Sequence, residues 1–234
     1  MSKRREQPPA DELITPGMID THFHTAVMRE KGLDPTFLLN EAFSAGLAGG
    51  IDIGTRAGDT ADRARVKSQF PRIKLAAGLA PAEAEHEHFR DNLEILERDI
   101  SDYGIDALGE IGVDGYWNYG TPEHQKELFA VQIDMANRLG LPIIIHNRDA
   151  DEHLLEVLHD HRPQNGGIMH CFSSGYETAK SCLDFGLHIS FAGNITFKKN
   201  EGLRAAAAKV PADRILAETD SPFLSPEPLR GRPN

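Results

Sequence analysis

The chain has 234 residues, enough for one domain with a sizeable core, and 40% of them are hydrophobic. That composition is typical of a folded globular protein and excludes a largely disordered one. No apolar stretch approaches the roughly 20 residues needed to cross a bilayer, so we expect no membrane partner. The net charge of −11 argues against nonspecific duplex binding through a basic face, although bound metal ions could still meet phosphate groups.

The first 16 residues are charged, contain proline and lack the apolar region of a signal peptide. We therefore expect residues 1–16 to be a flexible lead-in and residues 17–234 to form one domain. The two cysteines, Cys171 and Cys182, suggest no disulfide framework. A cytoplasmic location is the simplest interpretation, and the oligomeric state stays unknown.

Strands and helices alternate along the whole domain. Short apolar runs predict strands near residues 18–24, 48–54, 73–79, 107–112, 141–146, 167–171, 187–192 and 214–219. Helical patterns are expected near 37–43, 123–139, 150–161, 176–185 and 201–209, with Gly140 ending the second of these. This alternation predicts an α/β fold, a TIM (β/α)8 barrel.

The end of the chain departs from that pattern. The eighth strand should be followed by a closing helix, yet residues 221–234 are rich in Pro, Gly and Arg. We therefore expect a barrel that lacks its closing C-terminal helix, with the chain truncated there. The apolar flanks of the first and eighth strands should then have less cover.

Six side chains of metal-binding type lie at the ends of predicted strands. They are His22, His24, Glu110, His146, His170 and Asp220. Alternate residues of a strand point to the same side, so Asp20 and the two histidines that follow it project together. The strand ends of such a barrel form its active site, and imidazole and carboxylate groups suit zinc and manganese, with magnesium favouring oxygen.

Six ligands exceed the needs of one tetrahedral ion, so we expect two divalent ions, Mg, Mn or Zn, with a bridging carboxylate. Glu110 is the natural bridge. The histidine pair of the first strand would hold one ion with Asp220, and the histidines of the fifth and sixth strands would hold the other with the far oxygen of Glu110. Asp220 is the best candidate to orient a water or accept its proton, so Glu110 and Asp220 are the predicted catalytic residues.

A structural interpretation competes with this one. A single histidine near a strand end is more often a hydrogen-bonded structural residue than a ligand. Six buried polar groups together need mutual partners or a cation, which favours the metal site. His86 and His88 have the same spacing as the first pair, but they fall in a Glu-rich helical run and should be solvated.

Several segments together resemble a known family. They are Met18-Ile-Asp-Thr-His-Phe-His24, Gly109-Glu-Ile-Gly-Val-Asp114, Pro142-Ile-Ile-Ile-His-Asn-Arg148, Met169-His-Cys-Phe-Ser-Ser-Gly175, Gly193-Asn-Ile-Thr-Phe-Lys-Lys199 and Glu218-Thr-Asp-Ser-Pro222. Each motif is weak alone, and the combination is specific. From about residue 17 to the end, the chain resembles the TatD family of metal-dependent deoxyribonucleases within the amidohydrolase superfamily.

The resemblance implies a TIM barrel with a two-ion site that hydrolyses phosphodiester bonds of DNA, often as a 3′→5′ exonuclease on single strands. RNA is an open alternative as substrate. The six residues above match the family's ligand positions. By the same likeness, Arg148 and Lys198 would neutralise substrate phosphate, although each could equally be a surface salt-bridge cation.

Two further features concern the rim of the barrel. The loop after the fourth strand carries Tyr116, Trp117 and Tyr119, which could stack a splayed base or could pack on the rim as a lid. Where the family usually has Gly-Ile-His-Pro-His, this chain has Gly78-Leu-Ala-Pro-Ala82. We expect metal binding to persist with Ala80 and Ala82, and a substrate contact or proton donor to be lost.

Two other functions remain open. The chain could hydrolyse an amide, ester or lactone, as other amidohydrolases do. It could also be a catalytically weak metal-binding homologue, given the two alanines and the expected truncation. Cations at the mouth of the barrel favour phosphate substrates over neutral amides.

Overall fold

The structure is a computed structural model that describes residues 14–85 and 89–234. In these residues eight parallel strands form one sheet, whose spatial order follows the chain from β1 to β8. Strands β1 to β8 are Ile19–Phe23, Gly49–Ile53, Ile73–Ala77, Ala107–Asp114, Ile143–Arg148, Gly167–Met169, Leu187–Phe191 and Ile215–Ala217. The predicted strands are confirmed, and β4 and β5 each continue two residues beyond the predicted ends.

Helices connect successive strands. Helices α1 to α8 are Thr25–Glu30, Pro35–Ser44, Thr60–Gln69, Phe89–Tyr103, Pro122–Leu139, Asp151–Asp160, Tyr176–Asp184 and Glu201–Ala207. Short 3-10 turns at Pro81–Glu85 and Gly193–Thr196 follow β3 and β7. Each of the five predicted helices overlaps one of these, so the α/β barrel prediction is confirmed.

Helix α5 shows how local sequence sets these boundaries. The Thr121 hydroxyl accepts a bond from the His124 N–H at 3.2 Å, and a proline occupies the first turn. Gly140 ends the helix with a φ of 70°, which glycine adopts without steric cost. On the buried face, the Gln132 amide accepts from Leu79 N at 2.8 Å and donates to Leu79 O at 2.9 Å. This pair joins α5 to the end of β3.

The barrel is nearly closed, with one seam between β1 and β8. One isolated bridge, Phe23 with Ser221, links the two sides. Asp220 N donates to His22 O at 2.9 Å, just beyond the end of β8. The Asp20 carboxylate accepts from the backbone N–H and the hydroxyl of Thr219 at 2.9 and 2.7 Å. Asp20 therefore closes the seam and does not join the candidate ligands.

The core lies around β3 to β7, where parallel strands are covered on both faces. β4 is buried along its whole length. By contrast, Ile19 of β1 and Ile215 of β8 are exposed large hydrophobic residues. The rest of β1 is buried from Asp20 to Phe23, whereas no residue of β8 is buried, so the expected lack of cover is found at β8 and only at Ile19 of β1. Residues 218–234 contain turns, bends and the single bridge residue Ser221, with no helix or strand.

Some predictions concern residues that the structure does not describe. His86, His88 and residues 1–13 of the expected lead-in lie outside the described ranges. Among the helices of residues 14–85 and 89–234, none is both long and apolar enough to cross a bilayer.

Candidate metal centre

The structure brings all six candidate ligands together at the carboxyl ends of the strands. They are His22 in β1, His24 just after it, Glu110 in β4, His146 in β5, His170 just after β6 and Asp220 three residues after β8. All are buried apart from His146, which is partly buried. The His22 and His170 rings stack at a centroid distance of 3.8 Å, so the cluster is continuous.

Glu110 lies between two pairs of histidines. Its Oε2 is 3.5 Å from His22 Nε2 and 3.7 Å from His24 Nε2. Its Oε1 is 2.9 Å from His146 Nδ1 and 3.2 Å from His170 Nε2. Each carboxylate oxygen of Glu110 therefore faces a different pair of histidines.

Asp220 completes the half of the cluster around β1. Its Oδ1 lies 3.3 Å from His24 Nε2 and 3.7 Å from His22 Nε2. The residue has a φ of 57°, in the left-handed region that only a few non-glycine residues adopt. The backbone bond from Asp220 N to His22 O maintains that conformation, so a strained residue directs its carboxylate to the centre.

The approach of β4 to β5 places Glu110 beside His146. Gly112 has a φ of 143°, and a Cβ there would lie 2.0 Å from His146 O. No side chain fits that space, so glycine is required for these strands to lie this close.

Three of the four histidines are oriented by acceptors outside the cluster. His24 Nδ1 lies 3.1 Å from Ile53 O, and His146 Nε2 lies 3.0 Å from Asp114 Oδ2. His170 Nδ1 lies 3.3 Å from Glu218 Oε1. Such partners select the tautomer of a metal-binding histidine.

Asp114 and Glu218 were not predicted to have this role. Both occur in the family-like motifs, and Asp114 lies four residues after Glu110 on the same strand. That even spacing puts the two carboxylates on one side of β4 and is the signal that could have indicated the first of them.

These hydrogen bonds determine which ring nitrogens are free to bind a cation. We call the nitrogen that faces the cluster the inner nitrogen and the other the outer nitrogen. Where the outer nitrogen carries the hydrogen and donates it, the inner nitrogen of the same ring keeps a free lone pair. The inner nitrogens of His146 and His170 are 3.3 Å apart and both face Glu110 Oε1. His22 Nε2 and His24 Nε2 are 3.1 Å apart, and His22 Nδ1 has no partner among the described residues. Converging lone pairs and carboxylates repel unless positive charge lies between them, so the donor set fits divalent cations.

The pKa values point to the same need for positive charge. Burial lowers the pKa of His22, and the nearby His170 lowers it further. Burial also disfavours charge on His170, but Glu110 and Glu218 outweigh it and hold the pKa of His170 well above its usual range. Burial raises the pKa of Glu110, yet His170 and bonds from His146 hold that pKa well below its usual range. Protons or metal ions can supply the charge that these carboxylates attract.

The two predicted phosphate-binding cations lie in different places. Arg148 ends β5, two residues after His146, and its guanidinium carbon is 3.7 Å from the centroid of the Tyr116 ring. Lys198 is exposed after the 3-10 turn that follows β7. Its side chain lines a cavity of about 310 Å³ together with Phe197 and Arg230. Arg148 therefore adjoins the cluster along its strand, and Lys198 belongs to a separate part of the rim.

The two alanines lie at the end of β3. Ala80 is buried and its N–H donates to Thr55 O at 2.9 Å, whereas Ala82 is partly buried in the following 3-10 turn. Their methyl groups offer no ligand, and the six candidate ligands come together without them.

Comparison with known proteins decides the family. The model of the TatD related DNase family matches residues 19–234. The chain belongs to this family. It is 44% identical over 144 residues to the uncharacterized metal-dependent hydrolase YcfH of Escherichia coli (strain K12), a match covering 61% of this chain and 54% of that relative. The chain thus spans about half the length of that curated relative.

Two other matches extend over more of the chain. The 3′-5′ ssDNA/RNA exonuclease TatD of Salmonella typhimurium is 31% identical over 196 residues, covering 82% of this chain and 74% of that protein. The crystal structure of YjjV, a TatD homologue from Escherichia coli K12, superposes with a TM-score of 0.80 at 28% identity. It covers 93% of this chain and 84% of that one, which agrees with the barrel described above.

Proposed function

We propose that this chain is a divalent-metal-dependent phosphodiesterase that shortens single-stranded DNA or RNA from the 3′ end. The observation that carries the proposal is the convergence of four imidazoles on a carboxylate that presents one oxygen to each pair. The exonuclease activity in the name of the Salmonella relative supports the choice of nucleic acid as substrate.

Two ions would be held by different halves of the cluster. His22, His24 and Asp220 would hold one, and His146 and His170 the other, with Glu110 between them. Bound divalent ions of this kind supply Lewis acidity to a phosphoryl oxygen and acidify water. Asp114 and Glu218 would keep His146 and His170 in the tautomers that leave their inner nitrogens free.

Asp220 is the proposed acceptor of the proton from the attacking water. Burial raises its pKa, but the hydrogen bond with His24 lowers it below its usual value. The carboxylate is therefore ionised at neutral pH and able to accept a proton. Its Oδ1 faces His24, and we assign the proton to Oδ2.

Arg148 would orient the substrate through its charge. A guanidinium that stacks on an aromatic ring keeps its N–H groups at the edge, where they can form paired bonds with a phosphate. Lys198, an exposed point charge on the rim after β7, would attract a phosphate further along the strand.

The test is cleavage of a 5′-labelled single-stranded oligonucleotide with Mg²⁺ or Mn²⁺. The parent should shorten it stepwise, and Glu110→Gln should lower the rate more than about 100-fold, because even loss of an outer partner of a ligand costs up to about 100-fold. Glu97→Gln, at an exposed pair with Arg138 on the outer helices, is the matched control and should retain activity. Circular dichroism would show that Glu110→Gln remains folded. Equal cleavage by the parent and Glu110→Gln would refute the proposal.

A further inference from the structure

The loop after β4 presents two aromatic side chains to solvent beside the candidate metal centre. Tyr116 is 57% exposed and Trp117 is 52% exposed. Their ring centroids are 4.9 Å apart with the rings nearly perpendicular. The Arg148 guanidinium lies over the Tyr116 ring at 3.7 Å and is 5.8 Å from the centroid of the Trp117 ring. The three side chains form a continuous surface, which we call the aromatic platform.

The backbone beneath the platform is held firmly. Asp114 Oδ1 accepts the N–H groups of both Tyr116 and Trp117 at 2.8 Å. The buried Gln125 amide donates to Asp114 O at 3.1 Å and to Tyr119 O at 3.2 Å. The Tyr116 and Trp117 rings are exposed although their backbone is fixed, whereas Tyr119 is partly buried.

The platform is joined directly to the candidate metal centre. The other oxygen of Asp114, Oδ2, accepts from His146 Nε2 at 3.0 Å. Arg148 lies two residues after His146 on β5, and the ladder pairs it with Asp114. One carboxylate thus positions both a proposed ligand and the aromatic loop.

We infer that the aromatic platform binds one nucleotide of a single strand, with the Trp117 indole stacked on its base and Arg148 paired with a neighbouring phosphate. The inference rests on the proposed function. Aromatic faces and arginine together are the usual means of holding unpaired bases, and stacking tolerates any sequence. The bases of a duplex are already stacked on each other, so the platform selects an unpaired strand.

Trp117 is the single tryptophan of the chain, so its fluorescence reports on the platform alone. The full chain, with a chelator present to prevent turnover, would be titrated with an oligothymidylate about ten nucleotides long. The same titration with an abasic oligomer of equal length separates stacking from phosphate binding. We expect the thymidylate to quench the Trp117 emission and the abasic oligomer to leave it unchanged. Equal quenching by both would overturn the inference.

Kinetics provide an independent test. Trp117→Ala should raise the KM for the thymidylate about 5- to 150-fold, the range that corresponds to loss of one stacked base. Cleavage of the abasic oligomer should not change, and Trp117→Phe should recover most of the loss because it retains a stacking face. Phe37→Ala removes an aromatic ring of similar exposure, 58%, on α2 and should leave the KM unchanged.

The two proposals fail in different ways. If the thymidylate quenches Trp117 selectively but no phosphodiester is cleaved with Mg²⁺ or Mn²⁺, the platform is supported and the proposed function is wrong. If the chain cleaves the thymidylate and Trp117→Ala leaves its KM unchanged, the platform is wrong and the proposed function stands.

Discussion

Substituting Asp114 by asparagine separates its two hydrogen-bonding roles. Oδ2 accepts from His146 Nε2, so the Nδ1 lone pair of that ring faces Glu110. The amide oxygen of asparagine can still accept the N–H groups of Tyr116 and Trp117, which places its NH₂ group against His146. An NH₂ group can only donate, so the imidazole must move its own hydrogen to Nδ1 and lose its inner lone pair.

The size of the effect follows from the burial and position of this carboxylate. Loss of an outer partner of a metal ligand costs about 10- to 100-fold in affinity, or about 1.4–2.8 kcal/mol. The side chain of Asp114 is 2% exposed, so water can hardly replace the lost acceptor and we expect the upper part of that range. His146 lies beside Glu110 Oε1, whereas His22 and His24 lie beside Oε2, so one ion should be weakened and the other should not.

Calorimetric titration with Mn²⁺ would measure this. The parent should bind two ions, and Asp114→Asn should bind one as before and one about 100-fold more weakly. Asp62→Asn, at an exposed pair with Arg65 on α3, is the matched control and should bind as the parent does. An unchanged Trp117 emission maximum would show that the loop is still held. If Asp114→Asn binds both ions with parental affinity, the tautomer argument is refuted.

Three other predictions follow from the same structure. Glu218→Ala removes the acceptor of His170 Nδ1, so the affinity for one ion should fall about 10- to 100-fold in the same titration, and no change would contradict the role of Glu218. Returning ions at about 100 times Kd to the chelated protein should add about 2.7 kcal/mol for each ion bound and raise the Tm by about 5–11 °C per ion in scanning calorimetry; an unmoved Tm would argue against a metal centre. Burial raises the pKa of Asp106, but bonds from Lys74 and Lys67 hold that pKa below its usual value. The stabilisation is therefore present above the unfolded pKa of about 3.9 and is lost as the pH falls through the lower folded value. Asp106→Asn should cost up to about 1 kcal/mol at pH 7 in urea unfolding, and the difference should vanish in strong acid; a difference that persists there would contradict this origin.

The strands and five of the eight helices in the described residues could be predicted, because hydrophobic period and helix boundaries are local properties; α1, α3 and α4 were not predicted. The predicted ends of β4 and β5 both fell two residues short, and for the same reason. β4 ends in Asp114 and β5 in Asn147 and Arg148, and Asp114 and Arg148 pair in the ladder there. An apolar run cannot indicate polar residues that extend a strand into a functional site.

The closure of the barrel is a different case. Asp20 was expected to project with His22 and His24, but its carboxylate bonds to Thr219, almost two hundred residues later. A side chain that joins distant segments has no local signature, because its partner is decided by the tertiary fold. The same reason explains why Glu218 was not assigned to His170.

The alanines at the end of β3 are compatible with this centre because β3 contributes backbone contacts and none of the candidate ligands. The candidate ligands come from β1, β4, β5 and β6 and from the segment after β8. The end of β3 contributes backbone contacts, from Leu79 to Gln132 and from Ala80 to Thr55, and these need no imidazole. Alanine at positions 80 and 82 therefore leaves the scaffold and the converging nitrogens unchanged. We therefore expect the two alanines to affect catalysis through a lost substrate contact or proton donor and to leave the metal ligands in place.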